Sequence, residues 1–372
     1  MVKMKLKAAL AVLGTTVPFF VQADMNNTDQ TNKPAPVFNQ GEPVKENMMQ
    51  GERDGKNQLP AAYNQAACWS TTDSFDMYIS GSFLYWTAVE ADMRVATQVN
   101  AAGTGYTELF QTGGYKPAFK VGLGFDLRGM DHWNFVSEYT WYNSTNTMSA
   151  SAGSGFLTPG FGDHFIHGTV PAVEASSVSN KWKLAVNILD AGLQRPFYSG
   201  RKLTANFGAG LRALWISQST STTFSGTVID DTLVGTVSIY DQDKMWALGP
   251  RVAFDGNWLF GMGFRFTGRF ANSLLFASYT TLGGHSNIND AVETHTYNTN
   301  GNYNNVRAVT EAGLGLGWET YCCDDSFHFD LFAGYDFNAF WNQNLLNLTT
   351  EQDGDPGSLY LHGLTVTARF DF

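Results

Sequence analysis

The 372-residue chain carries few charges for its size, with 15% charged residues and a formal net charge of −11. Large soluble domains have about 25% charged residues, so the composition argues against that class, and the acidic balance argues against nucleic acid as a partner. Aromatic residues (14%) and 38 glycines are abundant, and no segment after the N-terminus approaches the roughly 18 apolar residues of a helical span. This combination is typical of a transmembrane β-barrel.

Residues 1–23 are predicted to be a cleaved signal peptide. Lys3, Lys5 and Lys7 form a basic start, residues 8–21 form an apolar run, and Val21-Gln22-Ala23 places small residues where a signal peptidase cuts. The run is too short for a transmembrane helix. A buried N-terminal helix is the alternative. Export from the cytoplasm and the barrel composition together predict the outer membrane of a Gram-negative bacterium.

Residues 24–73 are rich in Asn, Gln, Pro and charge, and they show no apolar periodicity. Such a segment cannot bury enough apolar surface to offset the entropy of ordering. We expect it to be a disordered segment in the periplasm.

From Ser74 onward, apolar and polar residues alternate. In the last segment, 358–372, the apolar positions share one face, and the residues between them are polar or small. A period of two indicates a strand between two different environments, here lipid outside and a lumen inside. The apolar face consists of Leu364, Val366, Ala368, Phe370 and Phe372.

Ten segments show this pattern and predict an all-β, antiparallel transmembrane barrel. The alternation breaks at Leu274-Leu275-Phe276, so a hidden turn and a twelve-strand barrel remain an alternative. On the fourth segment, Trp182, Leu184, Val186 and Ile188 are expected to face lipid. The predicted strands are 74–90, 116–127, 132–145, 180–192, 201–217, 243–254, 258–280, 303–321, 326–341 and 358–372.

The predicted connections alternate strictly in length. The short ones are 128–131, 193–200, 255–257 and 322–325, and the long ones are 91–115, 146–179, 218–242, 281–302 and 342–357. A membrane barrel with short periplasmic turns and long extracellular loops gives this alternation, and it places both termini in the periplasm. A soluble β-sandwich or propeller, the alternative architecture, does not require connections that alternate in length. Tryptophans near strand ends are expected in the interface girdles: Trp133, Trp141, Trp182, Trp215, Trp246, Trp258, Trp318 and Trp341.

The terminal strand is also expected to partner the barrel-assembly machinery. Phe370 and Phe372 end an alternating strand at the C-terminus, and we expect them to form the signal that this machinery reads. The alternative role, lipid contact alone, is compatible with the first.

Charged residues in the strands are expected to face the lumen, because Arg or Lys facing mid-bilayer lipid costs about 2–4 kcal/mol. There they either set ion selectivity or pair and fill a narrow interior. The candidate selectivity residues are Arg212, Arg251, Arg265, Arg269, Arg307, Glu311 and Arg369. Alternation also places further charges inward: Lys120, Asp126, Glu138, Lys183, Glu319, Asp330, Asp336 and Asp371.

Short glycine-aromatic motifs recur in order along residues 74–372. They include Leu189-Asp190-Ala191-Gly192, Gly249-Pro250-Arg251 and Phe332-Ala333-Gly334-Tyr335. This series resembles the pore-forming outer-membrane proteins first grouped around Legionella and found in chlamydia-like bacteria, the major-outer-membrane-protein-like family. The resemblance implies a porin that lets small hydrophilic solutes and ions diffuse passively, without cofactor, metal or catalysis.

Two other functions remain open. The first is a structural or adhesive surface barrel with a filled lumen, cross-linked in the envelope. The second is a barrel hydrolase, with His285 or His295 and Asp290 near the rim. No nucleophile elbow, phosphate-binding loop or zinc-protease motif supports the hydrolase.

Cys68, Cys322 and Cys323 are predicted to lie on the periplasmic side, which is an oxidising compartment. One bridge from Cys68 to the pair leaves an odd thiol, which suggests an intermolecular link. A free or internally paired thiol is the alternative. The resemblance also implies cross-linking, as in the chlamydial proteins, so envelope proteins or a second copy are expected partners.

Overall fold

The computed structural model describes residues 76–91, 93–127, 133–160, 173–198, 202–229, 232–289, 294–323, 326–346 and 356–372. The predicted signal peptide and the segment 24–73 lie outside these residues. All regular elements in the described ranges are strands. Over the same ranges, no helix has the length and apolarity that a membrane crossing requires.

Ten long strands form one closed antiparallel sheet, in the order β10-β11-β12-β13-β14-β1-β4-β5-β8-β9, with β9 paired again to β10. The remaining short strands belong to the connections. The strands are β1 (Met77–Glu90), β2 (Arg94–Val99), β3 (Tyr106–Phe110), β4 (Lys116–Asp126), β5 (Asn134–Ser151), β6 (Phe156–Pro159), β7 (Val173–Glu174), β8 (Ser177–Tyr198), β9 (Leu203–Ile229), β10 (Thr232–Gly261), β11 (Phe264–Asn289), β12 (Thr294–Cys322), β13 (Phe327–Asn344) and β14 (Gly357–Asp371).

The barrel closes between its first and last strands. β1 pairs with β14 from Tyr78 opposite Asp371 to Glu90 opposite Leu359, and Met77 and Phe372 exchange backbone hydrogen bonds of 3.1 and 2.9 Å. No strand edge is therefore left at this seam, as a sheet in hydrocarbon requires.

The predicted ten-strand barrel is confirmed. The suspected break at 274–276 lies inside β11, which pairs there with both β10 and β12. The twelve-strand alternative is therefore wrong.

We call the end of the barrel with the start of β1 and the end of β14 the turn end, and the opposite one the loop end. The turn end carries the short connections. Two of them differ from the prediction. The strand β8 continues through most of 193–200, to Tyr198. The strand β10 continues through residues 255–257 to Gly261, and the turn is Met262-Gly263, both with positive φ. Asp255 and Asn257 look like turn residues in the sequence, but they are polar because they face the lumen.

The predicted long loops are shorter than expected. Most of 218–242 and 281–302 is strand, because the β9–β10 pairing extends to Ile229 and Thr232 and the β11–β12 pairing to Asn289 and Thr294. The β12–β13 pairing ends earlier, at Val309 and Phe340. Strands β9 to β12 therefore extend further at the loop end than β13 does.

The inner face of β8 corrects another prediction. Trp182, Leu184, Val186 and Ile188 are all buried, and they face the interior instead of lipid. Lys183, predicted in the lumen, is exposed on the outer face. The error has a physical cause: at this height the interior itself is apolar, so apolarity does not identify the lipid side. Trp182 is therefore no girdle residue, whereas Trp215, Trp246, Trp258 and Trp341 are exposed outside.

A small sheet of β3, β2 and β6 lies between the connections of the loop end. Its buried residues Met93, Val95, Ala96 and Leu157 belong to the same apolar cluster as the inward residues of the barrel wall. This small sheet is thus anchored by hydrophobic contact to the interior of the barrel.

We expect Leu361→Ala to lower the free energy of unfolding by about 2–5 kcal/mol, because Leu361 is fully buried inside the barrel and its truncation leaves a cavity. Leu364→Ala on the same strand is the matched control, since Leu364 is 45% exposed on the outer face. Urea unfolding in detergent micelles measures both. Equal losses would show that the interior is not packed at this height.

Candidate functional site in the barrel lumen

The lumen contains an apolar layer on the loop side of its charged half, and buried polar residues such as Gln218, Asp243 and Asn344 lie beyond the layer. Along β9, β10 and β14 the inward residues change from charged to apolar toward the loop end, for example from Arg212 to Leu214 and Ile216. Leu345 and Leu346, just after β13, complete the layer. We define the apolar layer by its buried residues Leu84, Trp86, Leu184, Val186, Ile188, Leu214, Ile216, Met245, Ala247, Leu275, Ala277, Val309, Phe340, Leu345, Leu346, Leu359 and Leu361.

Directly on the turn side of this layer, two arginines and two carboxylates form a quartet. Arg212 donates to both carboxylate oxygens of Asp190, Nε to Oδ1 at 2.7 Å and Nη2 to Oδ2 at 2.5 Å, and it also pairs with Glu311. Arg251 Nη2 donates to Glu311 Oε2 at 3.0 Å, and its Nε lies 3.7 Å from Asp190 Oδ2. Each buried charge thus has an opposite neighbour, which such groups require.

A second group of charges lies beside the quartet. Lys120 pairs with Glu138 at 2.9 Å, and Arg269 pairs with Asp336 at 3.3 Å. The Arg269 guanidinium also lies over the Phe332 ring, 4.1 Å from its centroid, which is a cation–π geometry.

Asp336 connects this group to the apolar layer. It accepts a hydrogen bond of 2.7 Å from Thr365 Oγ1, which in turn accepts one of 3.1 Å from Trp86 Nε1. The indole of Trp86 is thereby held in a fixed orientation at the boundary between the two halves.

The turn end of the lumen holds a third cluster. Arg265 bridges Glu319 and Asp330. Asp371 Oδ1 accepts hydrogen bonds from Nε and Nη2 of Arg369 at 2.8 and 2.5 Å. The other carboxylate oxygen, Oδ2, lies 2.5 Å from Nδ1 of His328. The chain's last strand therefore contributes both a cation and an anion to the lumen.

Two cavities, of about 180 and 270 Å³, separate these charged groups. The larger is lined by residues of every barrel strand except β4, and Asp255 and Arg269 line both. We call these two neighbouring cavities together the chamber. Asp255 forms no ion pair among the contacts of the described residues, although its cross-strand partner Arg269 lines the same cavities. Carboxylates also outnumber cations around the chamber, with Glu138, Asp190, Asp255, Glu311, Glu319, Asp330, Asp336 and Asp371 against Lys120, Arg212, Arg251, Arg265, Arg269 and Arg369.

Five of the seven candidate selectivity residues line the chamber, and Arg212 lies behind its wall, paired with Asp190 and Glu311. The remaining residue, Arg307, is the cross-strand partner of Leu275 and therefore lies at the height of the apolar layer. Its guanidinium is 5.7 Å from the Tyr279 ring and 5.9 Å from the Tyr303 ring. Sequence reasoning missed Asp255. Its spacing of two and four residues from Ala253 and Arg251 marks it as inward, but the sequence Asp255-Gly256-Asn257 also fits a turn.

The cysteine and terminal residues lie at the turn end. Cys322 and Cys323 carry exposed free thiols at the end of β12, while Cys68 lies outside the described residues, so the intermolecular disulfide stays a prediction. Phe370 is exposed on the outer face and Phe372 follows β14. Their role as an assembly signal also stays a prediction.

The residues suggested for a hydrolase are not brought together in the part of the chain that the structure describes. The His285 ring packs against Tyr240, with 5.1 Å between centroids, and the side chains of Asp290 and His295 lie outside the described set. Within that set, no group of three or more His, Cys, Asp or Glu residues could hold a metal ion.

A family model described as Legionella pneumophila major outer membrane protein precursor matches residues 70–372. No curated protein sequence matches the chain. Among solved structures, the chain is similar to the outer membrane protease OmpT from Escherichia coli, with 12% identity, a TM-score of 0.37, and coverage of 82% of this chain and 99% of that one.

The chain is also similar to two other solved structures of bacterial membrane proteins. A FadL homologue from Pseudomonas aeruginosa has 9% identity and a TM-score of 0.24, over 86% of this chain and 95% of that one. The toluene transporter TodX from Pseudomonas putida has 8% identity and a TM-score of 0.25, over 84% and 92%.

We expect Arg212→Met to destabilise the barrel by about 3–5 kcal/mol, because it leaves the buried carboxylates of Asp190 and Glu311 with a single cation. Arg195→Met, which removes an exposed arginine near the turn end of the same sheet, should change stability by less than about 1 kcal/mol. Denaturant unfolding of both variants measures the difference. Similar small effects would mean that the quartet is hydrated and not buried.

Proposed function

Since the chain belongs to the Legionella pneumophila major outer membrane protein family, we propose that it is an outer-membrane porin through which small hydrophilic solutes and ions diffuse passively. The observation that supports this function is the chamber, a charge-lined cavity bounded by nearly all the barrel strands. Neither a cofactor nor a catalytic step is needed for it.

In this proposal the turn end faces the periplasm and the loop end faces the cell exterior, as short turns and long connections do in bacterial barrels. Solutes in the chamber exchange with the periplasm, and the apolar layer is the narrowest section of the path. Hydrophobic constrictions conduct when water transiently enters them and close when it leaves. The pore is therefore expected to open intermittently and to pass small steps of current.

The charges of the chamber support a preference for cations. Arginines in the quartet and in the turn-end cluster are paired with carboxylates, and the carboxylate of Asp255 adds negative charge facing both cavities. A permeating cation is attracted by this local field, whereas an anion meets arginines that are already neutralised.

A filled structural barrel is the second candidate function, and the apolar layer favours it. If the layer never admits water, the chamber is a dead-end vestibule, and the protein serves through its outer surface and its exposed cysteines. Loop residues and cysteine cross-links would then carry the function.

Planar-bilayer recording of the purified protein distinguishes the two candidates. The porin proposal predicts discrete current steps at modest voltage, with a reversal potential in a salt gradient that indicates cation preference. A barrel that inserts into the bilayer but stays silent would overturn the porin and support the structural role.

We expect Asp255→Asn to move the reversal potential toward zero, because the substitution removes a cavity-lining carboxylate that forms no ion pair while keeping the size of the side chain. Glu174→Gln, on exposed β7 outside the chamber, is the control and should leave the reversal potential unchanged. Recording both in the same salt gradient makes the comparison. An unchanged potential for Asp255→Asn, or an equal shift for the control, would contradict a selectivity role for the chamber.

A further inference from the structure

The outer face of the barrel has a sharp boundary between apolar and polar side chains near the loop end. Trp215 on β9 and Trp246 on β10 are direct cross-strand partners, both are exposed, and the Trp246 ring lies 6.0 Å from the Phe276 ring on β11. Aromatic rings of this kind mark the level of lipid headgroups on membrane barrels. We call this row the aromatic boundary.

Three lysines lie immediately beyond the aromatic boundary. Lys244 is the next outward residue after Trp246 along β10, and it pairs with Ser217, the next outward residue after Trp215. On the other side of β9, Lys183 pairs with Ser219 and Lys181 with Ser221. The lysines thus flank a row of serine hydroxyls that runs along β9 beyond the apolar band.

The spacing lets two lysines act on one headgroup. Lys183 and Lys244 are separated by the single strand β9 and are offset by two residues, which places their Cα atoms about 12 Å apart for ordinary strand spacing. Lysine is a long flexible cation, so both ammonium groups can converge between the strands. The hydroxyls of Ser217 and Ser219 lie between them and can donate and accept hydrogen bonds.

The charge of this surface is opposite to that of the protein as a whole. The chain has net charge −11, yet the described outward positions of β5, β8, β9 and β10 beyond the boundary carry hydroxyl, amide, tyrosyl or lysyl side chains and no carboxylate. Asp241 and Asp243 on the same stretch of β10 are buried on the inner face. The three lysines are exposed and form no ion pair in the contacts of the described residues.

From this geometry we propose that the outer face of β8 to β10 binds the phosphorylated headgroup of an outer-leaflet glycolipid. The acyl chains lie on the apolar band that ends at Trp215 and Trp246, the phosphate groups pair with Lys181, Lys183 and Lys244, and the serine row contacts the sugars. The lysines begin one outward position beyond the aromatic boundary, which is the level expected for lipid phosphates. Clusters of basic residues at a membrane surface recognise anionic lipids in this way.

The test measures retention of lipid by the full protein purified in detergent. The probe is a diphosphorylated lipid A added to the micelles, and bound lipid is counted by native mass spectrometry. We expect Lys183→Gln/Lys244→Gln to weaken binding about ten-fold, since each lysine near a lipid surface contributes several-fold to affinity. Lys183→Arg/Lys244→Arg should retain it, because the charge is kept.

The matched control is Arg195→Gln/Lys202→Gln, which removes two exposed cations at the turn end of the same strands. It should bind the lipid like the unsubstituted protein, and the dephosphorylated lipid should bind all variants equally weakly. An equal loss in the control, or no loss in Lys183→Gln/Lys244→Gln, would overturn the proposal. Full displacement of the lipid by an equal concentration of inorganic phosphate would also overturn it, because a free-anion site needs no acyl chains.

Discussion

A sheet that crosses hydrocarbon must hydrogen-bond its backbone amides to other strands, because no water is available to satisfy a free edge. Here that constraint is met by the seam between β1 and β14, which runs from Tyr78 opposite Asp371 to Glu90 opposite Leu359. The seam closes the ten-strand sheet and sets the register of β1 against β14, so it fixes the height at which their inward side chains enter the lumen. The terminal residues are part of it, so the chain's last strand both closes the barrel and places Arg369 and Asp371 inside.

The interior of the closed barrel has two environments at different heights, which are stabilised by different interactions. Near the turn end, charged residues are stabilised by pairing, as in the quartet of Arg212, Arg251, Asp190 and Glu311, and the space between them stays polar. Toward the loop end, the apolar layer is stabilised by exclusion of water. In the proposed porin, a solute would pass from the charged region to the apolar layer, and the apolar layer would limit its passage.

Most of the architecture could be predicted from the sequence, because a period of two is a local property and sets each strand independently. The predictions were wrong where the side of the barrel that a residue faces depends on its neighbours in space and not on the local sequence. The apolar face of β8 looked lipid-facing, yet Leu184 and Val186 belong to the apolar layer. Asp255 was assigned to a turn because its local chemistry fits one, although its register with Arg269 places it in the chamber. The contact between His328 and Asp371 likewise depends on strand register, which no local pattern reveals.

The central claim is that the lumen is a conduction path whose chamber holds ions and whose apolar layer limits their passage. Single-channel recording of Leu275→Ser tests it most directly, because Leu275 is fully buried in the layer and a hydroxyl there favours entry of water. Leu259→Ser, which changes an inward leucine lining the chamber, is the control. The account predicts more frequent or longer openings for Leu275→Ser and no change for Leu259→Ser. Identical currents in both variants and in the unsubstituted protein would contradict it.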